Sequence, residues 1–138
     1  MHNKSCMAWS WVLFWDSNHE WAHKFGHSRY AGNYLIFEAE IAINRSTYDI
    51  YGNVKHKLEL KEVWDELKNK NAGLTNSQVR VADIIEYMKK IGIFPYNSIR
   101  AADNPDRQNQ LPFGGNKGEY MFLNERVQIC LISKINLS

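Results

Sequence analysis

Two apolar runs near the carboxyl end of the chain, separated by a short polar turn, constrain the fold most strongly. The first run, 119–123, begins with Glu119, and the second run covers 127–132. Both have the length and the aromatic or β-branched content that strands favour. A glycine-rich approach, 114–118, allows the backbone to come close to a ligand, and the strand behind it holds Glu119 in place. These runs predict a sheet that presents one carboxylate.

Earlier segments predict the remaining strands. Residues 8–15 are rich in aromatic and branched side chains, and 96–101 form a shorter candidate. The clearest strand pattern is 34–44, where apolar and polar residues alternate. We expect its apolar face to point into the core and its acidic residues to point away. The apolar positions are Leu35, Phe37, Ala39, Ile41 and Ile43, and the acidic ones are Glu38 and Glu40.

Three segments have the apolar spacing of helices. Ser17 and Glu20 form a capping-box pattern before the first segment, and Gly26 is expected to end it. The second and third helices are predicted over 57–71 and 81–91. The polar stretch between the short strand and the first carboxyl-terminal run predicts a long loop that delivers Glu119.

The order of these elements predicts one α+β domain, spanning 1–138, with about three helices and a mainly antiparallel split β-sheet. A hydrophobic content of 44% is sufficient for a single core. The net charge of +2 comes from scattered basic residues, so a nucleic-acid partner is not supported. No apolar stretch approaches the ~20 residues of a membrane span, and we expect a soluble, cytoplasmic protein without a membrane partner. Of the two cysteines, Cys130 is expected to pack as a small apolar residue rather than in a disulfide framework.

The carboxyl-terminal pattern resembles the last two strands of the ADP-ribosyltransferase superfamily, especially its poly-ADP-ribose polymerase-like branch. In that branch a glutamate precedes Tyr and an apolar run, as Glu119 does here, and a polar turn then leads to a Gln-Ile strand like Gln128-Ile129. The order of elements resembles small bacterial or phage members across nearly the whole chain. The resemblance implies an ADP-ribosyltransferase-like fold.

The same resemblance implies a site for NAD as substrate. Glu119 would be the catalytic carboxylate, and Phe14 or Trp15 would stack against nicotinamide. The family histidine that holds the adenosine ribose would correspond to His2, with Ser5 as its hydroxyl partner, although the motif departs from the usual His-Gly-Ser pattern. The acceptor of ADP-ribose would be a protein or another macromolecule.

A rival motif is His19-Glu20-Trp21-Ala22-His23, which fits the zinc-binding pattern H-E-x-x-H. In that pattern two histidines one helical turn apart bind zinc, and the glutamate acts as general base. Glu38 or Glu40 would supply a third ligand. The short sequence before His19 and the predicted helix end at Gly26 weigh against this zinc site.

Three functions therefore remain open from the sequence. The first is an ADP-ribosyltransferase or NAD glycohydrolase that acts as a toxin or phage effector through Glu119. The second is a zinc-dependent hydrolase that uses the helix at 19–23. The third is a non-catalytic interaction or inhibitor protein on the same fold, with the tryptophan-rich start as its contact surface.

Overall fold

The computed structural model describes residues 12–76, 78–102, 110–115, 118–122 and 125–132. Within these residues the protein is an α+β domain with three helices and six strands. The helices are α1 (His19–Tyr30), α2 (Val54–Lys70) and α3 (Val81–Lys90). The strands are β1 (Val12–Trp15), β2 (Thr47–Asp49), β3 (Ser98–Ala102), β4 (Gln110–Phe113), β5 (Glu119–Phe122) and β6 (Val127–Leu131). No helix in the described ranges has the length and apolar character of a membrane span.

The main sheet has four strands in the order β1-β6-β3-β2 and is mixed. Strand β6 lies antiparallel to both β1 and β3, whereas β2 is parallel to β3. A parallel pair needs a crossover connection, and here α2 and α3 supply it between β2 and β3. The carboxyl ends of β1, β2 and β3 therefore lie at the same end of the sheet as the start of β6.

Strands β4 and β5 form a separate antiparallel pair. The long loop expected before Glu119 thus contains a strand, and residues 103–109 and 116–117 of that loop lie outside the described ranges. From the sequence alone, Pro112 argues against a strand at this position, because proline has no N–H to donate to a ladder hydrogen bond. In the structure it lies opposite Tyr120 in a two-stranded sheet, where a donor is dispensable on the open side.

Helices α2 and α3 supply the core on one side of the main sheet. Both were predicted by their apolar spacing. Fully buried residues from α3, β2, β3 and β6 meet there, and burial of each large apolar side chain contributes roughly 1.5–3 kcal/mol. Cys130 is fully buried, but it is disulfide-bonded, so the prediction that it packs as a small apolar residue outside a disulfide was wrong. The central members of the core are Tyr48, Ile85, Met88, Ile99 and Cys130.

Helix α1 differs from its prediction at both ends. Its N-cap is Asn18, whose side-chain oxygen accepts a hydrogen bond from the N–H of Trp21 at 3.3 Å. Ser17 has a left-handed φ of 52° and lies outside the helix. The helix continues through Gly26 to Tyr30, and the ring of Tyr34 packs where a side chain at Gly26 would stand. Gly26 is thus a close-approach glycine and not a helix end.

The expected strand at 34–44 is absent from the described structure, which has residues 34–43 in no strand or helix. Tyr34 is partly buried against α1. Leu35 is 81% exposed and Phe37 is 79% exposed, so the apolar face that was expected in the core faces solvent.

Candidate functional site

A cleft of about 880 Å³ lies between β1, α1 and residues 34–43. Such a volume is typical of pockets for small molecules and cofactors. Phe14 and Ile129, which are opposite one another in the β1–β6 ladder, both line it. Asp16, Ser17 and His19 line the cleft at the end of β1. The cleft thus combines aromatic and apolar walls with a polar end.

Both aromatic candidates for the nicotinamide contact line this cleft. The ring of Trp15 also packs against Phe25 of α1, with 4.9 Å between ring centroids. Phe14 is partly buried. An aromatic ring here offers a flat face to a planar ligand, and either residue could provide it.

Tyr34 lines the cleft and packs against α1. Its hydroxyl lies 2.9 Å from Nδ1 of His23, and its ring contacts His27 edge-on with 5.2 Å between centroids. A Cβ added at Gly26 would meet the Tyr34 ring at 2.5 Å. The absence of a side chain at Gly26 therefore permits the contact that holds one end of residues 34–43 on α1.

An ion-pair network fixes the polar end of the cleft. Arg100 donates to Asp16 through Nε at 3.0 Å and Nη2 at 2.7 Å, and its Nη1 lies 3.4 Å from Asp49. Desolvation lowers the pKa of Arg100, but the hydrogen bonds and charges of the two carboxylates outweigh it and raise that pKa overall. Arg100 stays charged and joins the ends of β1 and β2 to β3.

The network extends to Tyr51 and Glu125. The Arg100 guanidinium stacks on the Tyr51 ring at 4.7 Å from its centroid, and the Tyr51 hydroxyl donates to the Glu125 carboxylate. This hydrogen bond, with burial, raises the pKa of Tyr51 above its usual value. The phenol is thus held in its protonated, donating form at neutral pH.

A cluster of aromatic rings packs around Tyr48 of β2. The rings of Tyr48 and His56 stack at 4.7 Å, and Tyr96 packs against both. The backbone N–H of Asp49 donates to Nδ1 of His56 at 2.9 Å, so a neutral His56 ring carries its proton on Nε2. Burial, with a smaller contribution from the charge of Glu59, raises the pKa of Tyr48 well above its usual value. The cluster positions Asp49 for Arg100.

Glu119 begins β5, where its backbone lies opposite Phe113 of β4. Its strand therefore belongs to the two-stranded sheet, while the aromatic residues of β1 belong to the main sheet. The described geometry of Glu119 is limited to its backbone. His2 and Ser5 lie outside the described residues.

The residues of the zinc motif make different contacts. His19 is the first residue of α1, Glu20 pairs with Lys24 at 2.7 Å, and His23 contacts Tyr34. Glu38 is exposed on the 34–43 segment. In the part of the chain that the structure describes, no three His, Cys, Asp or Glu side chains are grouped as metal ligands would be.

The Arg100 network was not predicted from the sequence. A single arginine within an otherwise small and apolar strand was the available signal, because a charged residue there needs partners. Its partners come from three other parts of the chain, which no local pattern connects. The comparisons with known proteins also leave the site unassigned, since no family model, curated protein or solved structure matches this chain.

Proposed function

We propose that the protein binds NAD in the cleft beside β1 and transfers ADP-ribose to a macromolecular acceptor, or hydrolyses NAD. The observation that carries this proposal is the cleft of about 880 Å³ with Phe14 and Trp15 in its wall. Its volume suits a dinucleotide, and its aromatic rings suit the planar nicotinamide. A cytoplasmic toxin or phage effector of the ADP-ribosyltransferase type would have this activity.

In the proposed reaction the bond between nicotinamide and the ribose carbon breaks, and nicotinamide leaves with the bonding electrons. Positive charge develops on the ribose, and the Glu119 carboxylate stabilises it and binds the ribose hydroxyls. A nucleophile of the acceptor, or water, then forms the new bond to the same carbon and loses a proton. Phe14 or Trp15 holds nicotinamide in the reactive orientation.

The proposal also includes the finer architecture. The β4–β5 pair and the main sheet would be the two halves of a split sheet, with Glu119 approaching the cleft from the smaller half. His2 and Ser5 would contact the adenosine ribose. The network of Arg100 and Asp16 supports this arrangement because it fixes the end of the strand that bears both aromatic residues.

Nicotinamide release from labelled NAD tests the proposal. We expect release by the native protein and a loss of at least 100-fold in Glu119→Gln, which keeps the side-chain shape and removes the charge. Glu66→Gln, on the exposed face of α2, is the matched control and should keep full activity. Equal activity of the Glu119→Gln and native proteins would remove Glu119 from the mechanism.

A further inference from the structure

Residues 34–43 carry an exposed apolar surface, and their backbone is unpaired within the part of the chain that the structure describes. Leu35 and Phe37 are about four-fifths exposed, at 81% and 79%. Among the described residues, no backbone hydrogen bond joins 34–43 to another segment. Peptide groups are strong donors and acceptors, and neighbouring large apolar side chains in solvent often mark a contact surface. The segment therefore has the features of a strand without its neighbour.

The charges of this segment indicate the chemistry of its partner. Glu38 and Glu40 are both exposed, and neither forms an ion pair with any residue in the described ranges. When the segment pairs as a strand, residues two positions apart lie on the same side, so a partner strand meets both carboxylates together. The whole protein has a net charge of +2, so this is a local acidic feature on a weakly basic molecule.

A second copy of the chain is a poor match for this surface. In the symmetric antiparallel pairing centred on Ala39, Glu38 of one copy lies opposite Glu40 of the other. Like charges directly opposite one another in a strand pair are destabilising. A partner strand with lysine or arginine at these positions removes the repulsion and forms cross-strand ion pairs.

We propose that residues 34–43 are a docking strand for an extended segment of another protein in which apolar and basic residues alternate. The partner backbone pairs with the free peptide groups of 34–43, as in strand addition to a sheet edge. Its apolar side chains cover Leu35 and Phe37, and its basic side chains lie beside Glu38 and Glu40. Residues 34–43 also form one wall of the cleft proposed for NAD. The peptide tests below measure binding without NAD, so their outcome does not depend on the proposed NAD reaction.

A labelled nine-residue peptide of alternating valine and lysine tests the docking strand by fluorescence anisotropy. We expect saturable binding to the native protein, and binding at least tenfold weaker for the matching peptide with glutamate in place of lysine. The charge reversal Glu38→Lys with Glu40→Lys should weaken the lysine peptide at least tenfold and strengthen the glutamate peptide. Glu62→Lys with Glu66→Lys on α2 makes the same change in net charge and should alter binding less than twofold.

A lysine peptide methylated on alternate backbone nitrogens keeps every side chain but loses donors along one edge. It should bind at least tenfold more weakly when that edge faces the protein. Equal binding of the methylated and unmodified peptides would overturn the strand pairing. Equal effects of the two charge reversals would overturn the location, and a stable dimer that excludes the peptide would assign the surface to a second copy instead.

Discussion

Nη2 of Arg100 lies 2.7 Å from the carboxylate of Asp16, although 84 positions separate the two residues in the sequence. This contact joins the end of β1, beside the cleft, to the middle of β3. Both side chains are partly buried, at 22% and 27% exposed. Charges in such surroundings are screened less than surface charges, so loss of either partner leaves a poorly solvated charge, and the pair fixes the end of the aromatic strand.

Removal of the Arg100 charge should destabilise the protein. In Arg100→Gln, Asp16 and Asp49 lose their partner, and a partly buried network suggests a loss of about 2 kcal/mol, below the 3–5 kcal/mol of fully buried pairs. The free energy of unfolding in urea measures this loss. Arg80→Gln breaks the looser, exposed pair with Asp83 and should cost less than about 1 kcal/mol. Equal costs for the two variants would contradict the role of the network.

Gly26→Ala should release Tyr34 from α1. The new Cβ would meet the tyrosine ring at 2.5 Å, so the ring must move and the contact is lost. We expect a loss of about 1–3 kcal/mol, as in other overpacked sites, and faster amide exchange in residues 34–43. Gly73→Ala, which has no atom within 4 Å of the new Cβ, should be neutral or slightly stabilising. Unchanged exchange in 34–43 would show that Tyr34 does not anchor the segment.

Tyr48→Phe should make the fall of the unfolding free energy at high pH less steep. The pKa of Tyr48 is raised in the folded protein, whereas an unfolded tyrosine titrates at about 10. The folded state therefore keeps its full stability below about pH 10 and loses it as the pH rises further, because the unfolded chain releases its proton first. Urea unfolding from pH 8 to 11.5 measures the slope, which should be shallower in Tyr48→Phe. Tyr30→Phe, at a residue that is 53% exposed, should keep the native slope.

Alanine substitution at Phe14 and at Trp15 should distinguish the nicotinamide contact from the structural one. Loss of the stacking residue should lower kcat/KM for nicotinamide release about tenfold, with little change in unfolding free energy. Loss of the other residue should mainly reduce stability. Trp15 packs on Phe25, so we expect Phe14→Ala to show the kinetic effect. Full activity in both variants would place nicotinamide elsewhere.

The helices were predictable because their signal is local. Apolar residues at helical spacing in α2 and α3 identify both elements, and their buried positions follow from the same spacing. The strand at 34–44 was predicted wrongly by an equally regular pattern. Alternation gives the period of a strand, but it gives neither the pairing partner of the strand nor the side that faces inward.

The candidate site was predictable only in part. Phe14 and Trp15 were singled out by resemblance, and they line the cleft. Asp16, Asp49, Arg100 and Glu125 were not, because their meeting depends on the order of strands in the main sheet. Strand order is a long-range property, and a single sequence gives it only when its pairing partners are already known.

Thermal unfolding with and without NAD tests the central claim most directly. A ligand that binds only the folded protein adds about 2.7 kcal/mol at 100 times its Kd. For a chain of 138 residues we therefore predict that saturating NAD raises Tm by about 5–10 °C, in the native protein and in Glu119→Gln alike. A Tm that does not move at millimolar NAD would contradict the assignment of the cleft as a dinucleotide site.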